Sequence, residues 1–132
     1  MRVALISDIH ANAVALDAAL SHLHQDRVDE VVCLGDVAQG GPQPAEAVDR
    51  LRALECRVVL GNADAFLLDP DASREPATAR HLEVRAWTLE RLGEERLEYL
   101  RTFEPTVEME LGPGRSLLCF HGSPASYDDV VL

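Results

Sequence analysis

The amino-acid sequence predicts an α/β fold in which a layered, parallel βαβ sheet is followed by a β-hairpin in a second sheet. Two observations support this prediction. Short apolar runs alternate with stretches in which apolar residues recur every three or four positions, as strands alternate with helices. Near the C-terminus, two strand-like runs flank a Gly-Pro-Gly turn. The length of 132 residues predicts one domain, residues 1–132, with a hydrophobic core.

The first half of the chain predicts two βαβ units. Residues 2–7 are nearly all apolar, which is typical of a parallel strand that lies in the middle of a sheet and is buried on both faces. Asn12 can cap the helix that follows, which extends to about residue 25 because leucines recur there at helical spacing. The remaining elements are a strand at 31–34, a helix at about 44–54 and a strand at 57–60.

The second half predicts a loop, two helical pieces and the hairpin. Residues 69–76 are polar and contain two prolines, which indicates a loop. The next elements are a helix at 77–92 that ends at Gly93, a shorter helix at 94–102, and strands at 106–111 and 116–120. Trp87 and the neighbouring leucines are expected in the core. Residues 127–132 are expected to begin a further strand or helix.

The composition narrows the function classes. The net charge is −11 and all twelve basic residues are Arg, so Lys-dependent chemistry is excluded. Strong acidity disfavours binding to anionic membranes and to nucleic acid, except as a substrate. No apolar run approaches the roughly 20 residues that span a bilayer, and no signal-peptide pattern is present, so we expect a cytoplasmic protein. The three cysteines form no CxxC pair, which indicates buried free thiols.

Polar side chains end four predicted strands. In parallel α/β sheets, ligands bind beyond the carboxyl ends of the strands, so these side chains should converge. Asp8 and His10 are two residues apart, and on an extended segment they would point to the same side. Mixed oxygen and nitrogen donors favour Mn²⁺, Fe, Co²⁺ or Zn²⁺ over Ca²⁺. The candidate metal ligands are Asp8, His10, Asp36, Asn62 and His121.

These residues stand in the motifs Asp8-x-His10, Gly35-Asp36, Gly61-Asn62-x-Asp64 and His121-Gly122. In order and spacing the set resembles the calcineurin-like metallophosphoesterases, and its variants are similar to small bacterial phosphodiesterase-type members. The resemblance implies an α/β/β/α sandwich and hydrolysis of phosphate esters by a dinuclear metal centre.

The resemblance also implies a role for each candidate residue. Asp8 and His10 would hold the first metal ion, and Asn62 and His121 the second. Asp36 would bridge both ions, and Asn62 would also contact the phosphate of a small phosphorylated substrate.

The sequence departs from the family pattern at two places. Where the family often has a His after the Asn, this chain has Ala63, so no catalytic residue is assigned and activated aryl esters should be the better substrates. The family's last motif, Gly-His-x-His, does not follow His121. The chain therefore resembles the N-terminal part of a longer domain, as a fragment, a truncated form or a natural short form. We expect it to pair with a second copy or with a separate C-terminal segment.

Three hypotheses for the function follow. The first is a dinuclear phosphoesterase, either a phosphodiesterase or a phosphatase. The second is a catalytically weak or inactive metal-binding module of the same fold. The third is an unrelated acidic α/β protein that acts through protein contacts, for which the four motifs would be coincidental.

Overall fold

The computed structural model describes residues 1–130 and contains two sheets. The first is parallel with the strand order β1-β2-β3, and the second is an antiparallel hairpin of β4 and β5. This arrangement confirms the predicted fold class. The strands are β1 Val3–Ile6, β2 Glu30–Cys33, β3 Arg57–Val58, β4 Thr106–Gly112 and β5 Arg115–Phe120. The helices are α1 Ala13–Asp26, α2 Pro44–Ala53, α3 Asn62–Leu68 and α4 Ala79–Leu100.

The parallel sheet separates two apolar clusters. Successive strand residues point to opposite faces, so Cys33 and Val32 belong to different clusters. On one face, Cys33 packs with buried helical side chains such as Leu51 and Leu92. On the other face, Val32 packs with Val107 of the hairpin. The described chain is thus a helix layer, a parallel sheet and a hairpin layer, which correspond to three successive layers of the expected sandwich.

The helix boundaries follow from local capping. The side chain of Asn12 accepts a hydrogen bond from the Ala15 N–H at 2.9 Å, as predicted for the N-cap of α1. The Thr78 hydroxyl accepts from the His81 N–H at 3.2 Å at the start of α4. Within α4, Gly93 has φ 70° and ψ 169°, so the helix is broken there, as the sequence predicts.

Two predictions about the sheet were wrong. Strand β1 pairs only with β2 and so lies at an edge of the described sheet rather than in its middle, and Leu5 is 49% exposed. Strand β3 ends at Val58 rather than at residue 60 as predicted. Val59 forms an isolated parallel bridge with Glu104 instead of extending β3.

Helix α3 was missed because its seven residues are too few to show a helical period. The prediction that Trp87 lies in the core was also wrong. The residue is 38% exposed, and the Arg91 guanidinium lies 3.7 Å from the ring centroid, a cation–π contact that needs no burial.

Three further expectations can be compared with the structure. Residues 127–130 form neither helix nor strand, and 131–132 lie outside the described residues. The cysteines carry free thiols, and burial raises the pKa of Cys33 to about 12, which leaves that thiol protonated and unreactive. Within residues 1–130, none of the helices combines the length and the apolar character that crossing a bilayer requires.

Candidate metal centre

The segments that follow β1 and β2 run side by side beyond the ends of both strands. The N–H groups of Asp8, His10 and Ala11 donate to the carbonyl oxygens of Gly35, Asp36 and Val37 at 3.1, 2.9 and 2.8 Å, respectively. These hydrogen bonds continue the strand ladder into the loops. They bring the side chains of Asp8 and His10 to that of Asp36, although the residues are far apart in sequence.

The sequence predicted an extended backbone at Asp8 and His10, but the loop backbone is not extended there. The φ angles of Asp8, His10 and Asp36 are 55°, 44° and 58°, in the left-handed region that non-glycine residues seldom occupy. Such conformations persist where surrounding hydrogen bonds hold them, and they concentrate at functional sites. The side chains converge because of these turns rather than by strand alternation.

His10 is at the centre of a first donor cluster. Its Nε2 atom lies 3.6 Å from Asp8 Oδ1 and 3.6 Å from Asp36 Oδ2. Its Nδ1 atom lies 2.8 Å from the carbonyl oxygen of Gln39, which can only accept, so Nδ1 carries the proton. In the neutral ring Nε2 then presents a lone pair to the two carboxylates, and ligand atoms of all three residues lie within 4.8 Å of one another.

His121, which follows β5, is at the centre of a second cluster. Its Nδ1 atom lies 2.7 Å from the carbonyl oxygen of Leu34, which fixes the same tautomer as in His10. Its Nε2 atom lies 2.9 Å from Asn62 Oδ1 and 3.6 Å from Asp36 Oδ2. Asp36 Oδ2 therefore lies between two imidazole nitrogens, and this single atom joins the two clusters.

The donor set and its spacing fit divalent metal ions. Ligand atoms bound about 2.1 Å from one ion lie roughly 3.0–3.5 Å apart, which is close to the separations in both clusters. Metal-bound histidines usually donate their other ring N–H to a carbonyl or carboxylate, as His10 and His121 do here. The structure brings together all five candidate ligands predicted from the sequence.

Asp36 is the most constrained of the five side chains. It is 4% exposed, and its Oδ1 atom accepts the Ala63 N–H at 2.9 Å, which leaves Oδ2 directed at the histidines. Burial raises the pKa of Asp36, while this N–H and any positive charge on His121 or His10 act in the opposite direction. A buried carboxylate faced by two lone-pair donors is the arrangement that a shared cation stabilises.

Asp64 is a structural partner that sequence reasoning left without a role. The side chain is fully buried and accepts three main-chain hydrogen bonds, from Asp36 at 2.7 Å, Val37 at 2.9 Å and Gly61 at 3.1 Å. Burial raises the pKa of Asp64 to about 6, while the N–H groups of Val37, Gly61 and Asp36 act in the opposite direction. Asp64 thus ties the loop after β2 to the first turn of α3.

Two glycines allow these loops to approach each other. A Cβ atom on Gly61 would lie 2.1 Å from Asp36 Oδ1, and one on Gly35 would lie 2.5 Å from the Gly61 nitrogen. Gly35 also has φ +95°, which strains other residues. The glycines before Asp36 and Asn62 are therefore required by packing at the site.

Residues 1–131 match the family model of the calcineurin-like phosphoesterase superfamily domain. The chain is 30% identical over 122 residues to the uncharacterized protein MJ0912 of Methanocaldococcus jannaschii, a match that covers 92% of this chain and 49% of that protein.

Two solved structures are similar. A metallophosphoesterase from Sphaerobacter thermophilus is 36% identical with a TM-score of 0.65, and the match covers 81% of this chain and 43% of that one. The hypothetical protein PH1004 from Pyrococcus horikoshii OT3 has a TM-score of 0.84 at 24% identity, over 98% of this chain and 58% of that one, which shows the shared fold. The chain thus spans about half the length of these relatives.

Proposed function

Because the chain belongs to the calcineurin-like phosphoesterase superfamily, we propose that it hydrolyses phosphate esters at a centre of two divalent metal ions that share Asp36. The observation that carries this proposal is the position of Asp36 Oδ2, which lies 3.6 Å from Nε2 of both His10 and His121. A carboxylate in that position can bind one ion on each side.

The remaining donors divide between the two ions. Asp8 and His10 would hold the first ion, and Asn62 and His121 the second, with Mn²⁺, Fe, Co²⁺ or Zn²⁺ suited to this oxygen and nitrogen set. A neutral amide beside the shared carboxylate limits the negative charge of the second site. The amide nitrogen of Asn62 can then donate to a phosphoryl oxygen while its carbonyl oxygen faces His121.

When bound, the two ions would acidify a water molecule for attack on phosphorus and neutralise charge on the phosphoryl oxygens. The protein residues supply position. The Ala63 N–H and the Asp64 carboxylate fix the side chain and the backbone of Asp36. Gln39 and Leu34 hold the imidazoles in the tautomer that ligation needs. Because the side chain of Ala63 is a methyl group and cannot donate a proton, the leaving group departs without a general acid at that position.

The test is hydrolysis of 4-nitrophenyl phosphate and bis(4-nitrophenyl) phosphate with added Mn²⁺, comparing the unmodified chain with the Asp36→Asn variant. Asparagine keeps the shape and can still accept the Ala63 N–H, but it cannot bridge two cations as a carboxylate does. We expect kcat/KM to fall by about 100-fold or more, since weaker perturbations of metal sites already cost 10–100-fold.

The matched control is Asp26→Asn at the exposed C-terminal end of α1, which should leave kcat/KM unchanged. Equal activity of the Asp36→Asn and unmodified proteins would contradict the proposal. Metal binding without hydrolysis of either ester would instead support the inactive module of the same fold, which the methyl side chain at Ala63 favours.

A further inference from the structure

A cleft opens directly beside the second half of the metal centre. Its cavity has a volume of about 300 Å³, and its lining includes Asn62 and Ala63 from the centre itself. Ligand pockets occupy roughly 300–1,000 Å³, so this space suits one compact chemical group. A phosphate contacted by Asn62 would have one of its ester groups beside the mouth of the cleft.

The side walls are aromatic and aliphatic. Phe66 of α3 and His81 of α4 stand edge to face, with ring centroids 6.5 Å apart and planes at 76°. Pro76 and Ala77, from the loop between these helices, line the cleft as well. Rings arranged in this way favour contact with a third aromatic ring over contact with a flexible alkyl chain.

Polar side chains also line the cleft, namely Gln39, Asn62, Ser73, Glu75, Thr78 and His81. Among the described residues, the lining contains the carboxylate of Glu75 and no Arg, so the cleft disfavours a second phosphate.

We propose that this cleft binds a planar, uncharged aromatic group of the substrate, attached through the ester oxygen to the phosphate at the metal centre. This inference rests on the proposed function and deepens it by naming the substrate class, which is aryl or heteroaryl phosphate esters. The aromatic group would contact Phe66 and His81.

The test uses binding rather than turnover. Phenylphosphonate and methylphosphonate have a carbon–phosphorus bond that the proposed reaction does not cleave, and they differ only in the group that would enter the cleft. Isothermal titration of the Mn²⁺-loaded chain should show phenylphosphonate binding about 10-fold more tightly, which is the gain from burying one ring.

The variant Ala77→Trp fills the cleft from its loop. It should bind phenylphosphonate and methylphosphonate with about equal affinity, and its affinity for methylphosphonate should be unchanged. Phe66→Leu keeps an apolar side chain of similar bulk but removes the ring, and it should reduce the preference in part. Ala125→Trp adds the same bulk on an exposed loop outside the cleft and should retain the full preference.

Each outcome decides the proposal. Equal affinities for the two phosphonates in the unmodified chain would overturn it, as would a phenyl preference that survives in Ala77→Trp. Metal content measured on the same samples separates the two proposals. Normal metal content without a phenyl preference contradicts the cleft alone, whereas absence of metal contradicts the proposed function and the cleft with it.

Discussion

At the residue scale, the site depends on side chains that bind the main chain of other loops. Asp64 accepts N–H groups from Asp36, Val37 and Gly61, and the Ala63 N–H holds the Asp36 carboxylate. The first turn of α3 therefore fixes both the backbone and the side chain of the proposed bridging residue. Asp64 acts as a positioning residue because both of its carboxylate oxygens accept hydrogen bonds from the main chain.

Replacing Asp64 by Asn should lower both the stability of the fold and the affinity for metal ions. The amide NH₂ of Asn would face a main-chain N–H that now donates to an oxygen, so one hydrogen bond is lost and Asp36 shifts. We expect a loss of about 1–3 kcal/mol in the free energy of unfolding, together with a drop in metal affinity. Urea unfolding and metal titration of the same sample measure the two effects.

The matched control for Asp64→Asn is Asp69→Asn at the other end of α3, where the side chain accepts, within residues 1–130, only from the nearby Asp71 N–H. It should leave metal affinity unchanged. An Asp64→Asn variant that binds metal as tightly as the unmodified chain would show that the anchor does not position Asp36.

The five donor residues could be predicted from sequence because each directly follows a strand-like run, and parallel strands end at one edge of a sheet. The role of Asp64 could not, because its partners are main-chain atoms 27 and 28 residues away. Its one local signal is its position three residues after Gly61, where a carboxylate can accept the N–H at the helix start. The turns at Asp8 and His10 also gave no local signal, since neither residue type requires a positive φ.

At the element scale, one arginine joins the hairpin to the parallel sheet. Arg57 of β3 donates to both carboxylate oxygens of Glu104, at 2.9 and 2.7 Å, and to the main-chain oxygen of Glu108 on β4 at 2.8 Å. The main chain of Glu104 also pairs with Val58 and Leu60. These contacts place β5, and with it His121, beside the ends of the parallel strands.

The Glu104→Gln variant should be less stable than the unmodified chain only where Glu104 is ionised. Arg57 lowers the pKa of Glu104 below its ordinary value of 4.5. The pair therefore contributes stability above pH 4.5, and this contribution is lost as the pH falls through the lowered pKa. Because both side chains are partly exposed, we expect a difference of about 0.5 kcal/mol at pH 7 in urea unfolding.

Glu108→Gln on β4 is the control, since only its main chain contacts Arg57. Glu108→Gln should have the same free energy of unfolding as the unmodified chain, both at pH 7 and at strongly acidic pH. A deficit of Glu104→Gln that persists unchanged at strongly acidic pH would contradict the ion-pair explanation.

The long elements could be predicted because the periods of α1, α2 and α4 and the alternation in β4 are repeated often enough to be clear. Helix α3 and the shortened β3 could not, because tertiary pairing with Glu104 decides where the strand ends. Trp87 is a different case, because its contact with Arg91 lies within one turn of α4 and the core prediction rested on the apolar ring alone.

At the scale of the whole molecule, the outer edge of β1 has no pairing strand within residues 1–130. Leu5 on this strand is 49% exposed, and Leu118 of the hairpin is 44% exposed. Open strand edges pair readily with other chains. The relatives are about twice as long as this chain, and we propose that either a second copy or a separate segment covers this edge.

We predict that the 132-residue chain self-associates at micromolar concentration. The Leu5→Lys variant should reduce self-association, because a charge on an edge strand opposes pairing. Leu82→Lys, on α4 and 46% exposed, alters a similarly exposed leucine away from the edge and should have no effect. Sedimentation velocity is the measurement, and a stable monomer of the unmodified chain across this range would contradict the prediction.

The central claim is that Asp36 is shared by two metal ions. Electron paramagnetic resonance of the Mn²⁺-loaded chain, with the metal content of the same sample, tests it directly. Two ions about 3.5–4 Å apart on one carboxylate should give two Mn²⁺ per chain and an exchange-coupled spectrum, and both should be lost in Asp36→Asn. A single uncoupled ion in the unmodified chain, or a coupled pair that survives in Asp36→Asn, would contradict the account.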